Sequence, residues 1–227
     1  MTTQSTCPLC SSKNNSLFHK DHLRKYLQCL NCDFVFVPSQ YHLSEPEERK
    51  RYDTHNNNPE DARYRQFLSQ LTEPLNELIS IDSYGLDFGC GPGPTLSLMM
   101  QEKGHQMDLY DKFYARNQSV FKKSFDFITL TEVLEHLCDP VFELERLASI
   151  LKSKGILAVM TQTLTQDIDF KSWYYKNDPS HIGFYNDKSL TGLASLLELE
   201  ITQFSDRVIF LKKVKPVYSD SSGNGLG

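Results

Sequence analysis

The sequence predicts an α/β fold built around a nucleotide-binding βαβ unit, and three observations carry that expectation. Tyr84 to Phe88 reads as a short buried strand with an acid, Asp87, near its end. Gly89, Gly91 and Gly93 follow on alternate positions, where the lack of a side chain lets a backbone pass close to a ligand. Pro94 fits the start of a helix, Leu96, Met99 and Met100 repeat at helical spacing, and Gly104 ends the run. Gln106 to Tyr110 then predicts a second strand closed by Asp111, the acid that such a unit presents to ribose hydroxyls.

A chain of 227 residues can hold one sizeable α/β core and a small appendage. A mean hydropathy of −0.44, and apolar runs well short of the roughly 18 residues of a membrane span, predict a protein with no membrane association. The net charge of −5 argues against a chain-wide grip on nucleic acid, although local basic patches stay open. The first residues, Met1 to Thr6, are polar and unlike a secretion signal, so a reducing cytoplasm is expected.

Residues 1–38 are expected to form a zinc ribbon. Cys7 and Cys10 make one C-x-x-C pair, Cys29 and Cys32 a second, and four thiolates close a tetrahedral structural Zn2+ site. A redox pair is the competing reading of these cysteines. Leu17 to His19, Tyr26 to Gln28 and Phe34 to Val37 are the expected ribbon strands, too few to fold without the metal. Residues 39–80 are expected to be a helical linker or lid. Ser44 and Glu47 form a capping box for a helix through Tyr52, and Tyr64, Phe67, Leu68 and Leu71 mark an amphipathic helix. A second short helix is expected from Pro74 to Ile79. Tyr52 and His55 serve either helix packing or a cover over the nucleotide site.

Residues 81–215 form the third expected unit. Phe125 to Leu130 is a buried parallel strand, followed by Thr131-Glu132-Val133-Leu134-Glu135-His136. Asp139-Pro140 starts a helix, Gly155 to Thr161 is a further strand, and Asn186 caps a helix through Leu197. Glu200 to Phe204 and Arg207 to Lys213 read as a closing antiparallel hairpin. Residues 216–227 are expected to be a disordered tail. Trp173, Tyr174, Tyr175 and Tyr185 crowd a loop without helical or alternating spacing, which makes all four candidate substrate-pocket residues. His181 in the same loop is the candidate general base, since imidazole accepts a proton at neutral pH; the alternative is a structural histidine bonded to Asp178.

The acid-then-glycine spacing of Asp87-Phe88-Gly89-Cys90-Gly91-Pro92-Gly93 resembles motif I of the class I S-adenosylmethionine (SAM) methyltransferases. Thr131 to His136 is similar to the segment that ends the fourth strand of that family, and the resemblance runs through residues 84–161. The loop Trp173 to Tyr185 resembles that of a bacterial subgroup, within the "methyltransferase 23"-like group, that bears the same ribbon. The resemblance implies a Rossmann-like sheet and SAM as methyl donor. Asp87, Gly89, Cys90, Gly91, Gly93, Asp111, Thr131, Glu132 and His136 would then contact the cofactor. It also implies, from related quinone O-methyltransferases, that Glu132, Glu135 and His136 can hold a divalent cation; for His136 a helix-capping role competes. One departure stands out. Only the stretch 112–124 separates Asp111 from Phe125, too short for the family's usual helix and third strand, so a shortened edge without the usual adenine-side acid is expected. The implied activity is methyl transfer to an O, N or C nucleophile of an acceptor, more a small molecule than RNA or protein. The rivals are a catalytically inactive methyltransferase-like binding module, an RNA methyltransferase that captures substrate with its ribbon, and an NAD(P)-dependent oxidoreductase, which the glycine spacing disfavours.

Overall fold

The computed structural model describes residues 5–54 and 57–214; His55 and the expected tail lie outside that range. Strands β1 (Asn15–Lys20), β2 (Lys25–Cys29) and β3 (Val35–Phe36) form the expected antiparallel ribbon. Helices α1 (Glu45–Tyr52) and α2 (Ala62–Leu78) follow. Ser44 and Glu47 make the predicted capping box on α1. Pro74 does not divide α2, which runs through it as one helix. Proline in a helix interior costs about 3 kcal/mol, and burial of Leu68, Leu71 and Leu75 along one face offsets that cost here.

Next come β4 (Tyr84–Phe88), α3 (Thr95–Glu102), β5 (Gln106–Tyr110), β6 (Phe125–Thr131), α4 (Pro140–Ile150) and β7 (Leu151–Met160). The chain ends its described course with β8 (Gly183–Phe184), α5 (Asp187–Leu196), β9 (Leu199–Phe204) and β10 (Val208–Lys213). Six strands make the main sheet in the order β5-β4-β6-β7-β10-β9. The first four are parallel, and β10 runs antiparallel between β7 and β9. Among the described residues no further strand lies beyond β5. The connection to β6 holds only an isolated bridge, Asp111 to Ala115, and a 3-10 turn over Gln118–Lys122, so β5 is the sheet edge.

Alternation along the strands sorts the core into two faces. Ile156, Ala158 and Met160 of β7, with Val208 and Phe210 of β10, meet α2 and α3 on one side. Leu157, Val159, Ile209 and Leu211 meet α4, α5 and the ribbon's Leu9, Phe34 and Phe36 on the other. The ribbon is thus packed on the sheet's helical layer, and the short β8 adds a fourth strand to it (Val35 pairs with Phe184, Phe36 with Gly183). So short a strand leaves too little pattern to mark it in the sequence. Among the described residues no helix is long and apolar enough to cross a membrane.

Candidate functional site

A cleft of about 910 Å³ opens where the carboxyl ends of β4, β5 and β6 meet α1 and the loop after β7. Open α/β sheets bind ligands at this end, where the strand order reverses. The turn after β4 forms its floor. Gly89 (φ +78°) and Gly91 (φ +64°) occupy the left-handed region, and a methyl group on Gly89 would lie 2.4 Å from Val133. A methyl on Gly93 would lie 2.4 Å from the Asn57 carbonyl oxygen, so the third glycine lets the segment before α2 close on the turn.

Asp87 is fully buried and accepts hydrogen bonds from Ser97 Oγ (3.1 Å) and Thr129 Oγ1 (2.9 Å). Burial pushes its carboxyl up to about 6, against those two bonds, and the charge of Asp111 adds to the rise. Asp111 accepts from the Gly91 N–H (3.1 Å) with one oxygen and from the Phe113 and Tyr114 N–H groups with the other, locking the glycine turn to the tip of β5. Cys90 lines the cleft but is buried, its thiol pushed well up by burial. Thr131 Oγ1 is buried with no hydrogen-bond partner among the described residues. Arg146 Nε is in the same condition, and both side chains line the cleft.

The far wall is assembled from distant segments. Glu132 sits at φ +52°, a strained position for a side chain of its size, and pairs with Arg207 at 3.4 Å. Burial, then the charge of Glu135, pushes Glu132 up to about 8, with Arg207 opposing. Glu135 is fully buried and accepts from the Tyr175 hydroxyl (2.6 Å) and Thr161 Oγ1 (2.9 Å). His136 Nδ1 bonds the Ser180 carbonyl and His181 Nδ1 the Tyr175 carbonyl, at 2.9 and 2.8 Å. In both rings Nδ1 therefore carries a proton; His136 Nε2 lies 3.9 Å from Glu135 Oε1, and in neutral His181 the Nε2 lone pair is available. The two imidazoles meet edge to face at 4.7 Å. Burial pushes His181 down to about 4, the charge of Glu135 working the other way.

The expected site residues divide. Asp87, Gly89, Cys90, Gly91, Gly93, Asp111, Thr131, Glu132, His136, Tyr174 and His181 all line the cleft. Trp173 and Tyr185 do not: Trp173 packs with Phe170 and Phe184 against the ribbon, and Tyr185 fills the core and donates to the Leu134 carbonyl (3.4 Å). Their irregular spacing reflects two aromatic clusters rather than a pocket wall. Tyr175, in the same loop, faces the cleft. His181 is not bonded to the Asp178 side chain, which instead takes Arg51 and Ser180. The cluster whose ligand atoms lie within 4.8 Å of one another is Glu135, His136 and His181, so His181 stands where Glu132 was expected. Arg51, Arg146 and Arg207 also line the cleft, and their local sequence carries no signal for that.

The four ribbon cysteines also converge, with every pair of sulfurs within 4.8 Å. Cys7 and Cys32 are 3.7 Å apart and Cys10 and Cys29 3.4 Å, near the edge of about 3.8 Å for a tetrahedron with zinc–sulfur bonds of about 2.3 Å. The two pairs sit on matching turns. Ser11 and Asp33, each just after its second cysteine, have φ near +58° and +59° and return an N–H to the first cysteine's carbonyl at 2.9 Å. Chain-distant pairs on repeated knuckles fit a shared four-thiolate metal centre.

Sheet order and cleft position together define a Rossmann-like α/β protein with the mixed-sheet topology of a class I methyltransferase. A profile described as "Methyltransferase domain" matches residues 55–203, and the chain belongs to that family of SAM-dependent methyltransferases. It is 29% identical over 93 residues to the ubiquinone biosynthesis O-methyltransferase of Histophilus somni (strain 2336). That match covers 39% of this chain and 37% of the relative, so the chain spans little more than a third of the length of the curated relative it matches. Among solved structures, the fold is similar to the 1,6-didemethyltoxoflavin-N1-methyltransferase of Burkholderia thailandensis, bound to its substrate and S-adenosylhomocysteine. The TM-score is 0.54 at 14% identity, over 82% of this chain and 98% of the other. It is also similar to mitomycin 7-O-methyltransferase, with a TM-score of 0.50 at 15% identity over 68% and 59%.

Proposed function

We propose that the protein transfers the methyl group of SAM to an O, N or C nucleophile of a small-molecule acceptor. The observation that carries this reading is that one cleft holds both halves of the chemistry. The glycine turn with Asp87 and Asp111 lies on one wall, and the unprotonated Nε2 of His181 belongs to the other. SAM supplies an electrophilic methyl carbon on a sulfonium; the acceptor bonds to that carbon as the carbon–sulfur bond breaks, leaving S-adenosylhomocysteine. The chain's own part is to align the reactants and take a proton, and alignment alone can be worth about 7–11 kcal/mol.

In this reading Asp111 bonds the ribose, and the bare turn Gly89 to Gly93 accommodates the methionine portion. Thr131 Oγ1, lacking a protein partner, bonds a polar atom of the cofactor. Arg146 Nε, also unpartnered, supplies a polar contact on the adenine side, where the family's third-strand acid has no counterpart. His181 takes the acceptor's proton, and buried Glu135 steadies the imidazolium that results. The α1 segment acts as a cover, held to the edge by Lys112–Glu48 (2.5 Å) and to the far wall by Arg51–Asp178 (2.6 Å). Structural Zn2+ on Cys7, Cys10, Cys29 and Cys32 holds the ribbon. Small-molecule acceptors are supported by the small substrates in the names of the structural relatives.

The test uses SAM labelled in its methyl group and fractionated cell extract. Label is expected in a small-molecule fraction, and His181→Ala is expected to cut incorporation by about 10²–10⁴-fold without loss of SAM binding. Label only in RNA or protein would overturn the choice of acceptor class, and no incorporation with intact SAM binding would favour a binding module.

A further inference from the structure

We propose that the ribbon is a clamp on the acceptor side of the cleft, with Arg24 as the positioning residue that holds the loop bearing His181. The inference rests on the reading of His181 given above, but the clamp itself is a statement about the loop.

Arg24 lies in the turn between β1 and β2, away from the cysteine knuckles, and is 6% exposed. Its guanidinium has no carboxylate partner among the described residues. It spends its donors on the chain that leads to His181 instead. Nη1 bonds the Pro179 carbonyl (2.9 Å), and Nη2 bonds the carbonyls of Lys176 (2.7 Å) and Asp178 (2.8 Å). Nε donates to the Tyr26 hydroxyl (2.9 Å), which in turn donates to Asp21 (2.9 Å). Burial would raise Asp21, but the N–H groups of Arg24 and Leu23 and the Tyr26 hydroxyl outweigh it and hold the carboxyl down at about 2. That anion also attracts the buried Lys176 ammonium (3.7 Å). A buried cation that bonds only neutral groups is costly, so its three carbonyl contacts have to be well formed.

Those carbonyls belong to the stretch that fixes the far wall. The Asp178 side chain takes Arg51 from the cover and the N–H of Ser180; the Ser180 carbonyl orients His136; the Tyr175 carbonyl orients His181. A second tether lies just beyond, where Val37 N–H bonds the Ile182 carbonyl and Ile182 N–H bonds the Glu135 carbonyl, both at 2.9 Å. The SAM wall has no such connection to the ribbon among the described residues: the turn from Asp87 to Gly93 is braced by β5, Ser97, Thr129 and Asn57. Loosening the ribbon turn should therefore disorder the acceptor wall and spare the SAM wall. A lysine at position 24 cannot replace the fork, because a single ammonium cannot span three carbonyls in the guanidinium's geometry.

The experiment compares the full zinc-loaded chain with Arg24→Lys and with the milder Tyr26→Phe. Three readouts are taken: amide hydrogen exchange, SAM titration by calorimetry, and the imidazole titration of His181 by NMR. In Arg24→Lys the amides of Ser180, His181 and Ile182 are expected to exchange at least about tenfold faster, consistent with loss of one or two hydrogen bonds. The amides of β4 and β5 and the SAM dissociation constant stay within about twofold on the same scale, and the His181 midpoint rises from its buried value toward that of a free imidazole. Tyr26→Phe should shift the same readouts in the same direction by less, and it decides the matter if Arg24→Lys fails to fold. Unchanged loop exchange in both variants, or equal acceleration of the loop and of β4 and β5, would overturn the clamp. Loss of SAM binding in wild type would strike the functional reading and leave the clamp standing.

Discussion

The two walls of the cleft are made in opposite ways. The wall proposed for SAM is local: Asp87, the three glycines, α3 and Asp111 all lie within the stretch 87–111, and adjacent strands bring them together. The wall proposed for the acceptor is long-range: Glu135, Tyr175, His181 and Arg207, with Arg51 from the cover, come from segments far apart in the chain. A local site should tolerate damage to the ribbon, and a long-range site should not.

The largest effect is expected from Cys29→Ser, which removes one thiolate from the knuckles. Structural zinc contributes on the order of 10–16 kcal/mol in small fingers. The variant should lose bound zinc and melt at least about 5 °C lower, as a loss of more than about 2 kcal/mol implies, read by metal analysis and thermal unfolding. If SAM binding disappears with the zinc in material that is still folded, the walls are not independent.

Gly89→Ala strikes the other wall. Its φ of +78° and the contact at 2.4 Å with Val133 strain the new methyl, at a cost of order 1–3 kcal/mol. SAM affinity should fall at least tenfold, or about 1.4 kcal/mol, while loop amides near His181 keep their exchange rates.

A smaller effect concerns pH. The folded pKa of Asp87 is raised to about 6 from 3.8, so its contribution to stability is fully present below 3.8 and is lost as pH rises through 6. A cationic ligand favours the ionised carboxylate, so SAM affinity should weaken as pH falls from 7 to 5, and Asp87→Asn should flatten that slope. Calorimetry across that range in both proteins checks the sign, and an equal slope in Asp87→Asn would assign the effect elsewhere. The smallest effect is Tyr185→Phe, which removes one long hydrogen bond to the Leu134 carbonyl. It should cost about 0.5–1.5 kcal/mol of stability and leave SAM binding alone, as befits a core residue.

The same contrast explains what the sequence made legible. The βαβ unit, the paired cysteines and the capping box of α1 are short-range patterns, and the structure contains the elements they predict. The missing strand beyond β5 was readable because the stretch 112–124 is too short to supply both a helix and a strand. Trp173 and Tyr185 show the limit. An aromatic loop signals that large side chains pack somewhere, but whether they face a ligand or another domain depends on β8 joining the ribbon, and so short a strand carries no periodicity. Arg24 and Arg207 were invisible for the same reason, since partners 152 and 75 positions away in the chain leave no trace beside an arginine.

The most direct measurement of the central claim is a calorimetric titration of the full chain with SAM, alongside Asp111→Ala. One SAM is expected to bind per chain, with affinity reduced at least about tenfold in the variant. No heat at millimolar SAM, or equal binding by both proteins, would contradict it.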